Sequence, residues 1–117
     1  MGDTYELDFL VSIEAITSHG ILTAEEGMRQ LRQRAQNSNI SPIRALLRVE
    51  PQELVITDVT TGADTEHISL NLVSQPAAII SRGEKFNNVL TFVVLEDSYK
   101  FVPPEMHLFQ CIDKSVS

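Results

Sequence analysis

The first segment of the chain alternates between apolar and polar positions. Tyr5, Leu7, Phe9, Val11 and Ile13 occupy every second position, with mostly polar or charged residues between them. A period of two is typical of a strand that buries one face. The sequence therefore predicts a half-buried strand over residues 5–14.

The next segment changes to a helical period. Thr23 and Glu26 have the spacing of a capping box, in which a hydroxyl and a carboxylate satisfy the first amides of a helix. Apolar side chains then recur at helical spacing: Ala24, Met28, Leu31 and Ala35. We predict a helix that ends near Gln36, and Gly27 within it costs about 1 kcal/mol relative to alanine.

The rest of the chain predicts strands. We place them at residues 43–50, 53–60, 67–72, 77–81, 89–95 and 106–112. The strand at 89–95 is apolar on both faces, which favours a central position. Pro76 cannot donate a ladder hydrogen bond, so we expect it to begin an edge strand at Ala77. The fold class is therefore mainly β with one helix, a sandwich or a partly open barrel.

Length and composition agree with one domain over residues 1–117. A chain of 117 residues can bury a core without disulfides or metal. The single cysteine, Cys111, suits a reducing compartment. The sequence has neither a signal peptide nor an apolar stretch of about 18 residues, so we expect a cytoplasmic location.

The charge is negative overall but uneven. A net charge of −7 disfavours nucleic acid as a partner. Between Glu26 and Glu50 there is no acidic residue, but there are five arginines: Arg29, Arg32, Arg34, Arg44 and Arg48. This segment is either a local anion-binding patch or a solvated helix face with two strand arginines.

The histidines, cysteine and carboxylates that catalysis could use do not occur in a known catalytic motif. His107 and Cys111 are four residues apart, which on a strand separates them by about 13 Å. The sequence contains no nucleophile elbow, HExxH motif or glycine-rich phosphate loop. We therefore predict no enzyme activity, no catalytic residue, no metal site and no cofactor.

Peptide recognition by strand addition is better supported than catalysis. An edge strand offers main-chain hydrogen bonds to an extended peptide, and small residues such as Ala77 and Ala78 allow a close approach. The alternative is an ordinary core strand whose edge is shielded by another part of the protein.

The succession of these segments resembles phosphotyrosine-binding (PTB) domains, a variant of the pleckstrin-homology fold. The resemblance rests on the order of "YELDFLVSIEA", "LTAEEGMRQLRQ", "ISLNLVSQPAAII", "VLTFVVLED" and "MHLFQC". It is strongest to the PTB domains of adaptors of the epidermal growth factor receptor kinase substrate 8-like type. It implies a barrel of two nearly orthogonal antiparallel sheets with seven strands. Only five residues follow Ile112, so we expect the family's C-terminal capping helix to be missing from this chain.

The resemblance also implies a function. PTB domains add peptides of receptor tails, commonly with an Asn-Pro-x-Tyr turn, to their fifth strand. In this sequence the implied peptide-binding residues are Ala77, Ala78, Ile79, Ile80, Ser81 and Arg82. Arg82 and Lys85 are the implied contacts of a phosphotyrosine. Pro103-Pro104-Glu105 stands where some relatives place an arginine, so we expect no strict dependence on phosphate.

Three further expectations follow from the resemblance. The family's adaptors link receptor tyrosine kinases to the actin cytoskeleton from the cytoplasm. The alternative function is phosphoinositide binding at the plasma membrane through Arg29, Arg32 and Arg34, as some PTB domains do. A groove without its helix would also expose apolar surface, so we expect a dimer through that groove.

Overall fold

The computed structural model describes residues 3–38, 40–83, 85–95 and 103–112. It confirms a mainly β fold with one α-helix. The elements are β1 (Thr4–Glu14), β2 (Ile16–Thr17), β3 (Gly20–Ile21), α1 (Ala24–Asn37), β4 (Ile43–Val49), β5 (Glu53–Asp58), β6 (Asp64–Ser69), a 3-10 helix (Leu70–Leu72), β7 (Val73–Ile80), β8 (Asn88–Val94) and β9 (Glu105–Cys111).

Seven strands form one antiparallel sheet in the order β6-β5-β4-β1-β9-β8-β7. The central strand β1 pairs with β4 through residues 4–9 and with β9 through residues 7–14, and a register shift lies between Phe9 and Val11. The seven predicted strands are therefore confirmed, and the two halves of the sheet are continuous through β1. The second sheet is the small β2–β3 hairpin, which the sequence pattern did not predict.

The connection between β6 and β7 forces this sheet to curve. The two strands lie at opposite edges, six spacings apart, which would be about 29 Å in a flat sheet. Yet only the three-residue 3-10 helix separates Ser69 from Val73 along the chain, so their Cα atoms are at most about 14 Å apart. The edges must therefore approach each other at this corner, which gives the sheet the shape of an open barrel.

Two apolar clusters form the core, one on each face of β8 and β9. The cluster under α1 consists of Leu10, Ile13, Ala15, Leu22, Met28, Leu31, Phe86, Val89, Val93, Met106 and Leu108. The cluster on the other face consists of Leu7, Ala45, Leu47, Leu54, Ile56, Ile68, Phe92 and Phe109. Because successive side chains of a strand point to opposite faces, β8 and β9 contribute to both clusters. The prediction that β8 is buried on both faces is confirmed, although β8 lies second from the edge rather than at the centre.

The predicted boundaries around Pro76 were wrong. The strand predicted at 67–72 spans Asp64–Ser69 instead, and the strand predicted to begin at Ala77 begins at Val73. Pro76 lies inside β7, at a register shift between Ser74 and Ala77. A bulge leaves a residue outside the ladder, so it accommodates proline as well as a strand start does.

The environment of Gly27 explains a residue that helix propensity disfavours. Gly27 is buried where α1 crosses β9. A Cβ atom at this position would clash with Met106 Sδ and would lie 3.9 Å from the Leu108 side chain. Met106 is completely buried, so it has little room to move. The missing side chain therefore sets how closely the helix approaches the sheet.

Gly27→Ala should lower the free energy of unfolding by about 1–3 kcal/mol, because overpacking outweighs the helix propensity that alanine gains. Urea denaturation measures the change. Gln33→Ala, at an exposed position of α1, is the control and should change the free energy by less than about 0.5 kcal/mol. A Gly27→Ala variant as stable as the parent protein would show that the helix has space at this contact.

Candidate functional site

The strongest candidate site is the outer edge of β7. Within the described ranges, β7 pairs with β8 alone, so its other edge has no neighbouring strand. The predicted peptide-binding residues Ala77–Ile80 form the second half of this strand. Ser81 follows directly, and Arg82 begins the turn to β8. The structure therefore brings the predicted residues together on one accessible edge.

The hydrogen-bond alternation of the ladder determines which main-chain groups face outward. The Ser81 amide donates to the Asn87 carbonyl over 2.8 Å, so Ser81 belongs to a hydrogen-bonded pair. Paired residues alternate along an antiparallel ladder, which makes Ile79 a bonded position and Ala78 and Ile80 non-bonded ones. The N–H and C=O groups of Ala78 and Ile80 therefore point away from β8, towards the unpaired edge.

The bulge limits this set of outward groups. Gln75 has a φ of +51°, an uncommon value for a residue with a side chain, and Pro76 follows it. Pro76 has no N–H to offer, and the register shift breaks the alternation at the same place. The edge therefore presents one short block, made of the two N–H and two C=O groups of Ala78 and Ile80.

The side chains of β7 divide between the two faces of the sheet. Ile79 packs against the core cluster under α1. Ile80 points to the opposite face and is 71% exposed, which makes it the most exposed large apolar side chain in the described part of the chain. A cavity of about 360 Å³ lies beside it, lined by Ile80, Arg82, Asn87, Asn88, Gln110 and Cys111. Burial raises the pKa of the Cys111 thiol, so the thiol stays neutral.

Both predicted phosphotyrosine contacts lie at the carboxyl end of β7. Arg82 is exposed, and its guanidinium makes no ion pair or hydrogen bond within the described ranges. The Lys85 ammonium lies 5.6 Å from the centroid of the Phe86 ring. The positive charge therefore lies beyond Ile80, which itself is about 23 Å along an extended strand from Val73.

The predicted phosphoinositide residues do not form a single patch. Arg29 forms a bidentate ion pair with Glu26, and this hydrogen bond raises the pKa of Arg29 and lowers that of Glu26. At 100° per residue, Arg34 lies about 140° around the helix from Arg29. Arg32 lines a cavity of about 230 Å³ next to Lys85. The three arginines therefore face different surroundings.

The sequence did not predict that His107 is a polar residue of the core. His107 is 4% exposed, and its Nδ1 is hydrogen-bonded to Ser12 Oγ at 2.6 Å. Its ring lies 5.7 Å from that of Phe92 and 6.2 Å from that of Phe9, between ring centroids. Burial lowers the pKa of His107, and the nearby Glu105 carboxylate opposes this shift in part. Register places Ser12 opposite His107, but the sequence alone does not give register.

The Ser12–His107 pair lacks the third member of a catalytic triad. In the described part of the chain no carboxylate is hydrogen-bonded to His107, so nothing there orients the ring as a general base. The two side chains border a cavity of about 310 Å³. No group of three potential metal ligands occurs in the described ranges. The hydrogen bond between Ser12 and His107 instead gives the buried imidazole a polar partner in the core.

Comparison with known proteins identifies a family and a relative that match nearly the whole chain. A family model described as phosphotyrosine-binding domain matches residues 4–117. The chain is 22% identical over 107 residues to epidermal growth factor receptor kinase substrate 8 of Mus musculus. That alignment covers 92% of this chain and 13% of the mouse protein, so the chain spans a small part of that relative. In the described ranges, no helix is both long and apolar enough to cross a membrane.

The buried His107 should make stability depend on pH. The unfolded chain takes up a proton near the ordinary histidine pKa, about 6.5, whereas the folded protein resists it. The free energy of unfolding should therefore fall as the pH falls below about 6.5, until the lowered pKa of the folded state is passed. Urea midpoints measured between pH 7.5 and pH 5 give this slope.

His107→Gln should reduce that slope, since glutamine keeps a hydrogen-bonding group for Ser12 but does not titrate. His19→Gln is the matched control at an exposed position and should leave the slope unchanged. Equal slopes in the parent protein and His107→Gln would contradict a lowered pKa for His107.

Proposed function

The chain belongs to the phosphotyrosine-binding (PTB) domain family, and from this premise we propose that it binds tyrosine-containing peptides by strand addition to β7. PTB domains are protein-interaction modules of adaptors and bind peptides of receptor tails. One observation carries the proposal: among the residues that the structure describes, the main-chain groups of Ala78 and Ile80 have no partner at an accessible sheet edge. We propose that residues 1–117 form a single domain of this kind.

We propose that the peptide pairs antiparallel to β7. Every strand pair of the seven-stranded sheet is antiparallel, and this pairing is slightly more stable per residue than parallel pairing. Up to four main-chain hydrogen bonds form with Ala78 and Ile80. At about 0.5–1.5 kcal/mol each, they offset only part of the entropy lost on association. Side-chain contacts around Ile80 must supply the remainder.

We propose that an Asn-Pro-x-Tyr peptide binds without requiring phosphate. In an antiparallel peptide, the residues that follow the paired segment run towards Val73. Val73 pairs with Val94, and Val94 pairs with Glu105, so a carboxylate lies two strands away. Arg82 and Lys85 lie at the other end, next to the amino-terminal part of the peptide. Their proposed phosphotyrosine contact therefore has weaker support than recognition of an unmodified tyrosine.

The cellular role follows from the same premise. We propose a cytoplasmic adaptor domain, recruited to the plasma membrane by receptor tails, in signalling from the epidermal growth factor receptor to the actin cytoskeleton. The support is the family and the mouse relative, whose name describes a substrate of that receptor kinase.

The phosphoinositide alternative uses Arg29, Arg32 and Arg34. It has less support than peptide binding, because Arg29 already pairs with Glu26 and Arg34 lies on another side of α1. The net charge of −7 also opposes adhesion to an anionic membrane.

The proposed dimer would use the same edge as the peptide. Two copies related by a twofold axis could pair Ala78 of one with Ile80 of the other, again through at most four hydrogen bonds. The prediction that the C-terminal capping helix is missing concerns residues 113–117, which lie outside the described residues. Sedimentation of the protein without peptide distinguishes a dimer from a monomer and fixes the concentration for binding experiments.

Binding can be followed through the backbone amides of a ¹⁵N-labelled sample. Phosphorylated and unphosphorylated Asn-Pro-x-Tyr peptides should both shift the Ala78 and Ile80 amides, with affinities within about threefold of each other. Ile80→Lys should weaken binding by roughly tenfold or more, because an apolar contact is worth about 1.5–3 kcal/mol. Ile16→Lys, at a similarly exposed position in the small hairpin, is the control and should bind like the parent protein.

The proposal fails if neither peptide moves the Ala78 and Ile80 amides. The phosphoinositide alternative predicts the opposite pattern. Vesicles that contain phosphatidylinositol 4,5-bisphosphate would then retain Ile80→Lys and release a variant with Arg29→Glu and Arg32→Glu.

A further inference from the structure

Arg82 differs from the strand arginines Arg44 and Arg48, because its charge has no opposite partner in the described part of the chain. Arg44 pairs with Glu6 at 2.6 Å and with Asp8 at 2.7 Å, and Arg48 lies 3.3 Å from Glu50. Across residues 3–38, 40–83, 85–95 and 103–112, by contrast, the Arg82 guanidinium has no ion-pair or hydrogen-bond partner. An exposed cation next to an unpaired strand edge can interact with a charged ligand.

Arg82 lies on the same face of the chain as Ala78 and Ile80, whose main-chain groups face outward from β7. Ala78, Ile80 and Arg82 are separated by steps of two residues, so Arg82 continues the alternation of the outward positions. Ile80 and Arg82 also line the same cavity of about 360 Å³. In a ligand strand that continues past Ile80, the side chain two positions away from the residue opposite Ile80 would therefore lie close to the Arg82 guanidinium.

From this geometry we propose that the β7 ligand carries an acidic residue two positions before an apolar residue. The apolar residue pairs with Ile80 and covers its exposed side chain. The acidic residue lies beside Arg82, where opposite charges on neighbouring strands attract each other. The order follows from antiparallel pairing, in which the amino-terminal part of the ligand lies at the carboxyl end of β7. The inference deepens the proposed function and rests on it.

The small side chain of Ala78 determines a third position of the ligand pattern. The ligand residue opposite Ala78 has room for a large side chain, whereas the residue opposite Ile80 should be apolar. The ligand pattern is therefore acidic–x–apolar–x–large, read from its amino terminus. The pairing ends one step further on, because Pro76 has no N–H for the next ligand residue.

Charge selection at Arg82 is local and modest in size. The protein as a whole is negative, so its long-range field does not attract an acidic peptide. The segment from Arg82 to Lys85 contains two cations and one acid, Glu84, whose placement lies outside the described residues. Because exposed pairs are weak and screened by salt, the selectivity should be greatest at low ionic strength.

The test uses three synthetic peptides that differ at two positions only. Each has an apolar residue within an extended segment that precedes Asn-Pro-x-Tyr. The first has Glu two positions before the apolar residue, the second has Lys there, and the third has the Glu two positions after it. Each is titrated into the parent protein, Arg82→Glu and Arg34→Glu. Arg34 is the matched control, an exposed arginine on α1.

The parent protein and Arg34→Glu should bind the first peptide about three- to tenfold more tightly than the second. Arg82→Glu should reverse this order. The third peptide should bind less tightly than the first, since its carboxylate lies opposite Ala78, away from Arg82. Shifts of the Ala78 and Ile80 amides should accompany all binding.

Two kinds of failure are distinguishable. Equal affinities, or an unchanged preference in Arg82→Glu, would overturn charge selection and leave strand addition standing. A preference for the third peptide would overturn the proposed polarity in the same way. Absence of any shift at Ala78 and Ile80 with all three peptides would overturn the proposed function, and this inference with it.

Discussion

The short connection between β6 and β7 determines the curvature of the sheet and the position of its edges. It joins the two outermost strands of a seven-stranded sheet with only Leu70–Leu72 between them. The Leu70 amide donates to the Gln52 carbonyl, and the Leu72 carbonyl accepts from the Leu95 amide. These bonds fix the corner to the β4–β5 turn on one side and to the end of β8 on the other. The sheet can satisfy this closure only by curving, and β1, which belongs to both halves, bends at its register shift to allow it.

The same closure gives β7 its functional character. Its first residues are held at the corner, while Ala77–Ile80 extend along β8 as an edge without a second partner in the described ranges. Proteins usually protect such edges with proline, bulges or charge. Here Gln75, Pro76 and Arg82 provide these features, and together they leave two residues available for pairing. Features that discourage uncontrolled association therefore also define the register and the end of a bound peptide.

Local periodicity correctly predicted the strands and the helix in which the apolar positions of the sequence are also the buried positions of the fold. The alternation of β1 and the Thr23 N-cap of α1 needed no tertiary information. The end predicted for the strand at 67–72 was wrong because Leu70-Asn71-Leu72 continues a perfect alternation, yet the corner requires a change of direction there. Pro76 was compatible with a strand start or a bulge, and only the pairing of β7 with β8 distinguishes the two. The separation of Arg34 from Arg29 follows from helix geometry, whereas the outward direction of Ala78 and Ile80 depends on a register that no local pattern contains.

Amide hydrogen exchange in the protein without peptide shows directly whether the main-chain groups of Ala78 and Ile80 have partners. If Ala78 and Ile80 face an unpaired edge, their amides should exchange at rates close to those of an unfolded chain. Ile79, whose amide is directed towards β8, should exchange much more slowly. Protection of Ala78 and Ile80 equal to that of Ile79, in a sample shown to be monomeric, would contradict this account, because their main-chain groups would then already have partners.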